Sequence, residues 1–191
     1  MEKPTPEQIR IWAKKISESD QEAFNSFFRS MYPRLVHFAM RYTKRKTVAS
    51  DIVQDAFVKL WEKRHQVDPG QSIKAYVYRI VRNRSLNHIR DHSEEMVGLD
   101  VLNEDQMESE NGIQMPEESG PVLALLKKWI KELPERQREA FELSRFDGLD
   151  HDEIAGVMDI SPNTVNNHIV AALDALRNRY EKHQQEAKEK L

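Results

Sequence analysis

Residues 150–169 read DHDEIAGVMDISPNTVNNHI. Asp150-His151-Asp152-Glu153 reads as the capped start of a short helix. Ile154, Ala155, Val157 and Met158 then form the apolar side of a short helix. Asp159 and Ile160 make a turn. Ser161 is the next N-cap, and Pro162 sits at the first helical position, where its missing N–H would have had no partner anyway. Val165, Ile169, Leu173 and Leu176 continue as a buried stripe. Two helices joined by a turn of about three residues are a helix-turn-helix unit, and small Ala155 lets the second helix approach the first. Such a unit offers the N-terminal residues of its second helix to the DNA major groove. Here these are Ser161, Asn163, Thr164, Asn166, Asn167 and His168. Asn pairs bidentately with adenine, and Thr donates to a base or phosphate. Most of this face is neutral, so the unit alone should bind DNA weakly. The competing reading is a helical hairpin with a polar surface.

Working outward, Val122, Leu125, Leu126, Trp129, Ile130 and Leu133 define a helix that Pro134 ends. Pro134 also opens the next helix, which carries Ala140, Phe141, Leu143 and Phe146, with Gly148 just past its end. Upstream, HSEEMVGLDVLNEDQMESENGIQMPEESG (residues 92–120) has neither helical nor strand periodicity. Residues 93–121 hold nine acidic side chains and no basic one, a net of −9. That composition predicts a flexible linker. Residues 1–92 carry a net of +8 and residues 122–191 a net of −2. The overall −3 is therefore an average over a basic module, an acidic tether and a near-neutral reader. The expected architecture is all-α, with two small helical domains, 1–92 and 122–191, joined by the acidic linker 93–121.

In the basic module, Thr5-Pro6-Glu7-Gln8 has capping-box spacing and predicts a helix to about Ser17. Ser19-Asp20-Gln21-Glu22 is a second such box. After it, Phe24, Phe27, Phe28, Met31, Leu35, Phe38 and Tyr42 make one apolar face, which Pro33 should kink or split. A helix over Val48–Arg64 would bury Ile52, Val53, Ala56, Phe57, Leu60 and Trp61. Asp51 and Asp55, one turn apart, put two carboxylates on one exposed line. This is either a solvated face or a docking face for a basic partner helix. Acid–base catalysis would need burial or a second group, and neither is in sight. His65 to Gln71 reads as a loop turning at Asp68-Pro69-Gly70. The helix from Ser72 to about Arg90, SIKAYVYRIVRNRSLNHIR, has five basic residues and no acidic one. Lys74, Arg79, Arg82, Arg84 and Arg90 can neutralise phosphates. Tyr76 and Tyr78 can stack on bases, and Asn83 and Asn87 can bond base edges. The alternative is a basic solvated helix with its tyrosines in the core.

The chain has no Cys, which removes disulfides, thiol catalysis and Cys-ligated zinc. No apolar run approaches the ~20 residues that span a bilayer, and MEKPTPEQIR lacks a signal-peptide core. A cytoplasmic location is expected. With 6 Gly and neither a dinucleotide nor a P-loop fingerprint, no nucleotide cofactor is expected. His88 and His92 are one turn apart, but no third ligand is evident, so no metal is expected either.

Together the two halves resemble the extracytoplasmic-function (ECF) group of bacterial sigma-70-type initiation factors. Asp51-Ile52-Val53-Gln54-Asp55-Ala56-Phe57 with Leu60-Trp61 resembles the family's clamp-binding helix. Ala75-Tyr76-Val77-Tyr78-Arg79-Ile80-Val81-Arg82-Asn83 is similar to its −10 promoter helix. Leu133-Pro134-Glu135-Arg136-Gln137-Arg138-Glu139 resembles the entry to region 4, and Ser161-Pro162-Asn163-Thr164-Val165 the start of its −35 recognition helix. Tyr76 stands where the family usually has Trp, and Asn166 and His168 stand where basic residues are common.

The resemblance implies a specificity subunit that binds core RNA polymerase and directs it to promoters, with no small-molecule substrate and no covalent step of its own. Asp51, Gln54, Asp55, Phe57 and Trp61 would meet the clamp helices of the largest subunit, and region 4 would meet the flap. Lys74, Tyr76, Tyr78, Arg79, Arg82, Asn83, Asn87 and Arg90 would hold −10 DNA, with a base unstacked into a pocket. It also implies an anti-sigma factor, in this family often membrane-anchored. A stand-alone helix-turn-helix regulator is the alternative, and an adaptor that binds no DNA is a third class. A flexible 29-residue linker has an r.m.s. span of roughly 30 Å and a limit of about 95 Å. Two DNA turns span about 70 Å, so reading two elements requires a scaffold that holds the linker extended.

Overall fold

A computed structural model describes residues 4–92, apart from residue 69, and residues 121–189. All regular structure among them is helical. They fall into two compact units, one from each flank of the acidic segment. The linker expectation lies outside the described residues, save for its last residue, Pro121, which begins a helix.

The N-terminal unit has four helices: α1 (Pro6–Ser17), α2 (Gln21–Thr43), α3 (Lys46–Glu62) and α4 (Ile73–Asp91). A 3-10 turn, Arg64–Gln66, follows α3. Thr5 caps α1 by accepting the Gln8 N–H. The cap of α2 is Asp20, which accepts from Ala23, and not Ser19, which stands in the left-handed region at φ 68°. α2 runs unbroken through Pro33, which corrects the expected split. Pro33 is exposed, so its missing hydrogen bond falls on the solvent side, where helices open slightly as they curve round a core. Phe27, Met31, Leu35 and Phe38, all fully buried, hold the inner side. Lys44, in the left-handed conformation, ends α2. α4 begins where Ser72 accepts the Ala75 N–H.

The aromatic core of this unit joins α2 to α3. Phe57 lies 4.7 Å from Phe28, 6.0 Å from Phe27 and 6.1 Å from Phe24, centroid to centroid, in edge-to-face arrangements. Such pairs add about 0.5–1.5 kcal/mol each to the area they bury.

The C-terminal unit has α5 (Pro121–Lys131), α6 (Glu135–Arg145), α7 (His151–Met158) and α8 (Pro162–Glu189). The expected cap is present, and Asp150 and Glu153 make it a reciprocal capping box. Gly148 takes φ 66° between α6 and α7, and Asp159 takes φ 57° in the turn before α8. Leu143, Ile154, Val157, Met158 and Val165 fill the space between α6, α7 and α8. A second cluster, Ile130, Leu133, Phe141, Ala172 and Leu176, seats α5 and α6 on the middle of α8. Leu173, expected in the buried stripe, is 36% exposed, and Ala172 takes that place. At 3.6 residues per turn, Ala172 and Leu176 are one turn apart on the inner line, and Leu173 is rotated off it.

Candidate nucleic-acid interface

The burial pattern of α4 divides the basic helix in two. Tyr76, Arg79, Asn83, Asn87 and Arg90 follow one another at intervals of three and four residues; Tyr76 is half-buried and the other four are exposed. They form one stripe along the helix. Tyr78, by contrast, is fully buried, with its ring 5.0 Å from Phe38. Lys74 and Arg82 are also buried, at 9% and 7% exposure, and both are engaged within the protein. Three residues expected on the DNA face, Lys74, Tyr78 and Arg82, thus lie buried among the helices of this unit. Their spacing, 74, 78 and 82, is one helical line turned inward beside Val77, Val81 and Ser85. A tyrosine or an arginine fits either side of an amphipathic helix, because each has an apolar body and a polar tip.

The stripe starts at a cavity. Lys63, Gln66, Val67, Asp68, Gln71, Ser72, Ile73 and Tyr76 line it, between the end of α3 and the first turn of α4. Polar groups converge there with one aromatic ring. Asp68 holds the loop, accepting the Gly70 N–H at 2.8 Å and the Gln71 side-chain amide at 3.3 Å.

On α3, Asp51, Gln54 and Asp55 are all exposed, as expected. Phe57, at 2% exposure, belongs to the aromatic core, as its place in the apolar stripe predicts, and presents no surface to a docking face. Trp61 is half-buried, 4.9 Å from Phe24 and 4.6 Å from the Arg64 guanidinium. Two residues the sequence reading missed join this face. Val58, 57% exposed, lies between Asp55 and Glu62 on the same line. Arg84, on α4, pairs with the Asp55 carboxylate. An exposed large apolar residue between charges was visible in the sequence; the partner of Asp55, 29 residues away, was not.

In the second unit, Asn163, Asn166 and Asn167 are exposed on the first turns of α8, and Thr164 and His168 are half-buried. The Ser161 hydroxyl oxygen accepts the Thr164 N–H at 3.1 Å and lies 2.8 Å from the Thr164 hydroxyl. Ser161 thus acts first as the cap that fixes the recognition helix. The three asparagines are the groups turned outward.

A helix with a cationic and aromatic outer stripe in one unit, and a capped helix-turn-helix in the other, define a two-module, all-helical promoter-binding protein. Residues 27–95 match the Sigma-70 region 2 family model, and residues 123–176 match the Sigma-70, region 4 model. The chain belongs to the sigma-70 family, in its ECF group. It is similar to the ECF RNA polymerase sigma-E factor of Escherichia coli, with 28% identity over 181 residues covering 89% of this chain and 93% of that one. It is also similar to the ECF RNA polymerase sigma factor RpoE of Cereibacter sphaeroides, with 29% identity covering 83% and 86%. Two solved structures share the fold. One is CnrH in complex with the cytosolic domain of CnrY (TM-score 0.61, 23% identity, 92% and 98% covered). The other is the sigma factor RpoE in complex with the anti-sigma factor NepR from Bartonella quintana (TM-score 0.61, 24% identity, 83% and 96% covered). The chain is a sigma factor acting in transcription initiation, and the stand-alone regulator is set aside. Sigma factors are DNA-binding initiation factors rather than enzymes. Among the described residues no helix is long and apolar enough to cross a membrane.

Proposed function

We propose that this sigma factor uses its two units as separate readers, residues 1–92 for core polymerase and the −10 element and residues 122–191 for the −35 element. The observation that carries the reading is the exposed stripe of α4 ending at a polar cavity walled by Tyr76. Arg79 and Arg90 neutralise backbone phosphates of the melted strand, and Asn83 and Asn87 lie between them to meet sugars or base edges. Tyr76 stacks on a base displaced into the cavity, where Asp68 and Gln71 can bond its edge. Asn163, Asn166 and Asn167 read duplex DNA in the major groove.

Asp51, Gln54, Val58 and Trp61 form the docking face for the polymerase clamp helices, with Asp55 shared between that partner and Arg84. Carboxylates around an apolar centre suit a basic helix with an apolar ridge. Region 4 meets the flap. An anti-sigma factor of the kind seen in the solved relatives holds the chain inactive by covering these faces. The protein works in the cytoplasm, where polymerase and DNA are, and no covalent step, metal or cofactor is assigned to it.

Pull-down with core polymerase followed by promoter-specific run-off transcription tests the reading. Transcripts that require both chain and core are expected. A tight footprint on duplex DNA without core, and no run-off product, would replace it with a stand-alone regulator.

A further inference from the structure

Helix α1 and the turn after it precede residue 27, where the match to region 2 begins. Their polar contacts converge on the 3-10 turn that leads into the cavity. The Arg64 guanidinium donates from Nε to the Ser19 hydroxyl at 2.8 Å and from Nη1 to the Trp61 carbonyl at 2.7 Å. It lies over the Trp61 ring. His65 places Nδ1 3.1 Å from the Ser17 carbonyl oxygen and Nε2 3.5 Å from the Ser19 hydroxyl. Ser19 holds φ 68°, a conformation that non-glycine residues seldom take, and from it presents its hydroxyl to both side chains. The first two residues of the turn are thus tied to the α1–α2 junction. The next three, Gln66, Val67 and Asp68, are cavity wall.

We propose that Arg64 and Ser19 are positioning residues for the base pocket: the α1–α2 junction anchors the turn so that Gln66–Asp68 stand at a fixed distance from Tyr76. This rests on the reading of the cavity as the seat of a displaced base. A pocket that accepts one base and rejects others must hold its walls to about half an ångström. An exposed loop does not do that unless its backbone is pinned from outside. Arg is suited to the task because its planar fork is stacked on Trp61 and bonded on two sides at once. It acts through the loop and not on the DNA.

The test uses holoenzyme assembled from the full chain and core polymerase. The probes are labelled single-stranded −10 oligonucleotides with an abasic site at each position in turn. For the wild type, one abasic position should weaken binding most. Ser19→Gly keeps the left-handed backbone without strain and removes the hydroxymethyl group that bonds Arg64, and Arg64→Lys keeps the charge but not the fork. Both are expected to lower the preference for base over abasic at that position by about five-fold or more. Affinity for the abasic strand, affinity for core and thermal midpoint should stay at wild-type values. Retained preference in both variants overturns the proposal. Equal weakening on intact and abasic strands also overturns it, by making Arg64 a phosphate contact. If no abasic position matters to the wild type, the base-pocket reading itself fails and takes the proposal with it.

Discussion

Tyr76 and Tyr78 stand two residues apart on α4, and their surroundings assign them opposite tasks. Tyr78 packs against Phe38 with no exposed surface. Truncation to Ala should destabilise the chain by about 3–5 kcal/mol, as for other large buried aromatics, and be visible as early urea unfolding of the N-terminal unit. Tyr76→Ala should leave that transition nearly in place and weaken holoenzyme binding to single-stranded −10 DNA by about 1–3 kcal/mol. The reverse outcome would return Tyr78 to the DNA face. The carboxylates of α3 allow a similar separation. Reversing Asp51 and Asp55 together to Lys should cut affinity for core polymerase at least about ten-fold, because close interfacial charge pairs couple by about 1.5 kcal/mol or more. Undiminished binding in a competition assay against the wild type would remove the docking face. Both carboxylates are exposed, so the double change should alter folding stability by less than about 1 kcal/mol.

At the scale of elements, the helix-turn-helix is held by local chemistry that leaves little to chance. Asp150 with Glu153 starts α7, Asp159 reverses the chain, and Ser161 starts α8. One position is not optimal for stability. Gly156 sits in the middle of α7, and a Cβ there would meet nothing within 4 Å. Gly156→Ala should stabilise the C-terminal unit by about 0.5–1 kcal/mol through helix propensity alone. A lower urea midpoint would show that the space is filled in solution. On the recognition helix, Asn163→Ala or Asn167→Ala should weaken binding to −35 duplex in the holoenzyme by about 1–3 kcal/mol and relax base preference at one position. Uniform weakening across sequences would mark a backbone contact instead.

At the scale of the whole molecule, charge is the controlling quantity. A basic unit and a near-neutral reader flank an acidic stretch of net −9. That charge predicts that the stretch opposes DNA in the free chain and meets a basic surface of polymerase in the holoenzyme. Replacing its nine acids by neutral residues should therefore raise non-specific DNA binding by the free chain and lower core affinity and initiation. Gel shifts of the free chain and run-off yields with core check the two halves separately. Unchanged values in both would mean that the tether acts by length alone.

Helix content, the two-unit plan, the capping residues and the helix-turn-helix were legible in the chain itself, because each rests on interactions within a few residues. Capping residues, turn residues and three-to-four spacing act over one or two helical turns, so they read correctly at Thr5, Asp150 and Ser161. The outline of the site was legible in the same way: α4 is basic, and its exposed stripe lies within the residues expected to meet DNA. Which of those residues face outward follows from how the helices pack. Phe57 is buried as its helical stripe predicts, but Lys74, Tyr78 and Arg82 turn inward because α4 packs against both α2 and α3, and no local pattern distinguishes a tyrosine or arginine that packs from one that waits for a ligand. The Asp55–Arg84 pair and the Ser19–Arg64 anchor join residues 29 and 45 positions apart. Contacts that distant are products of chain packing, and no pattern of neighbouring residues announces them.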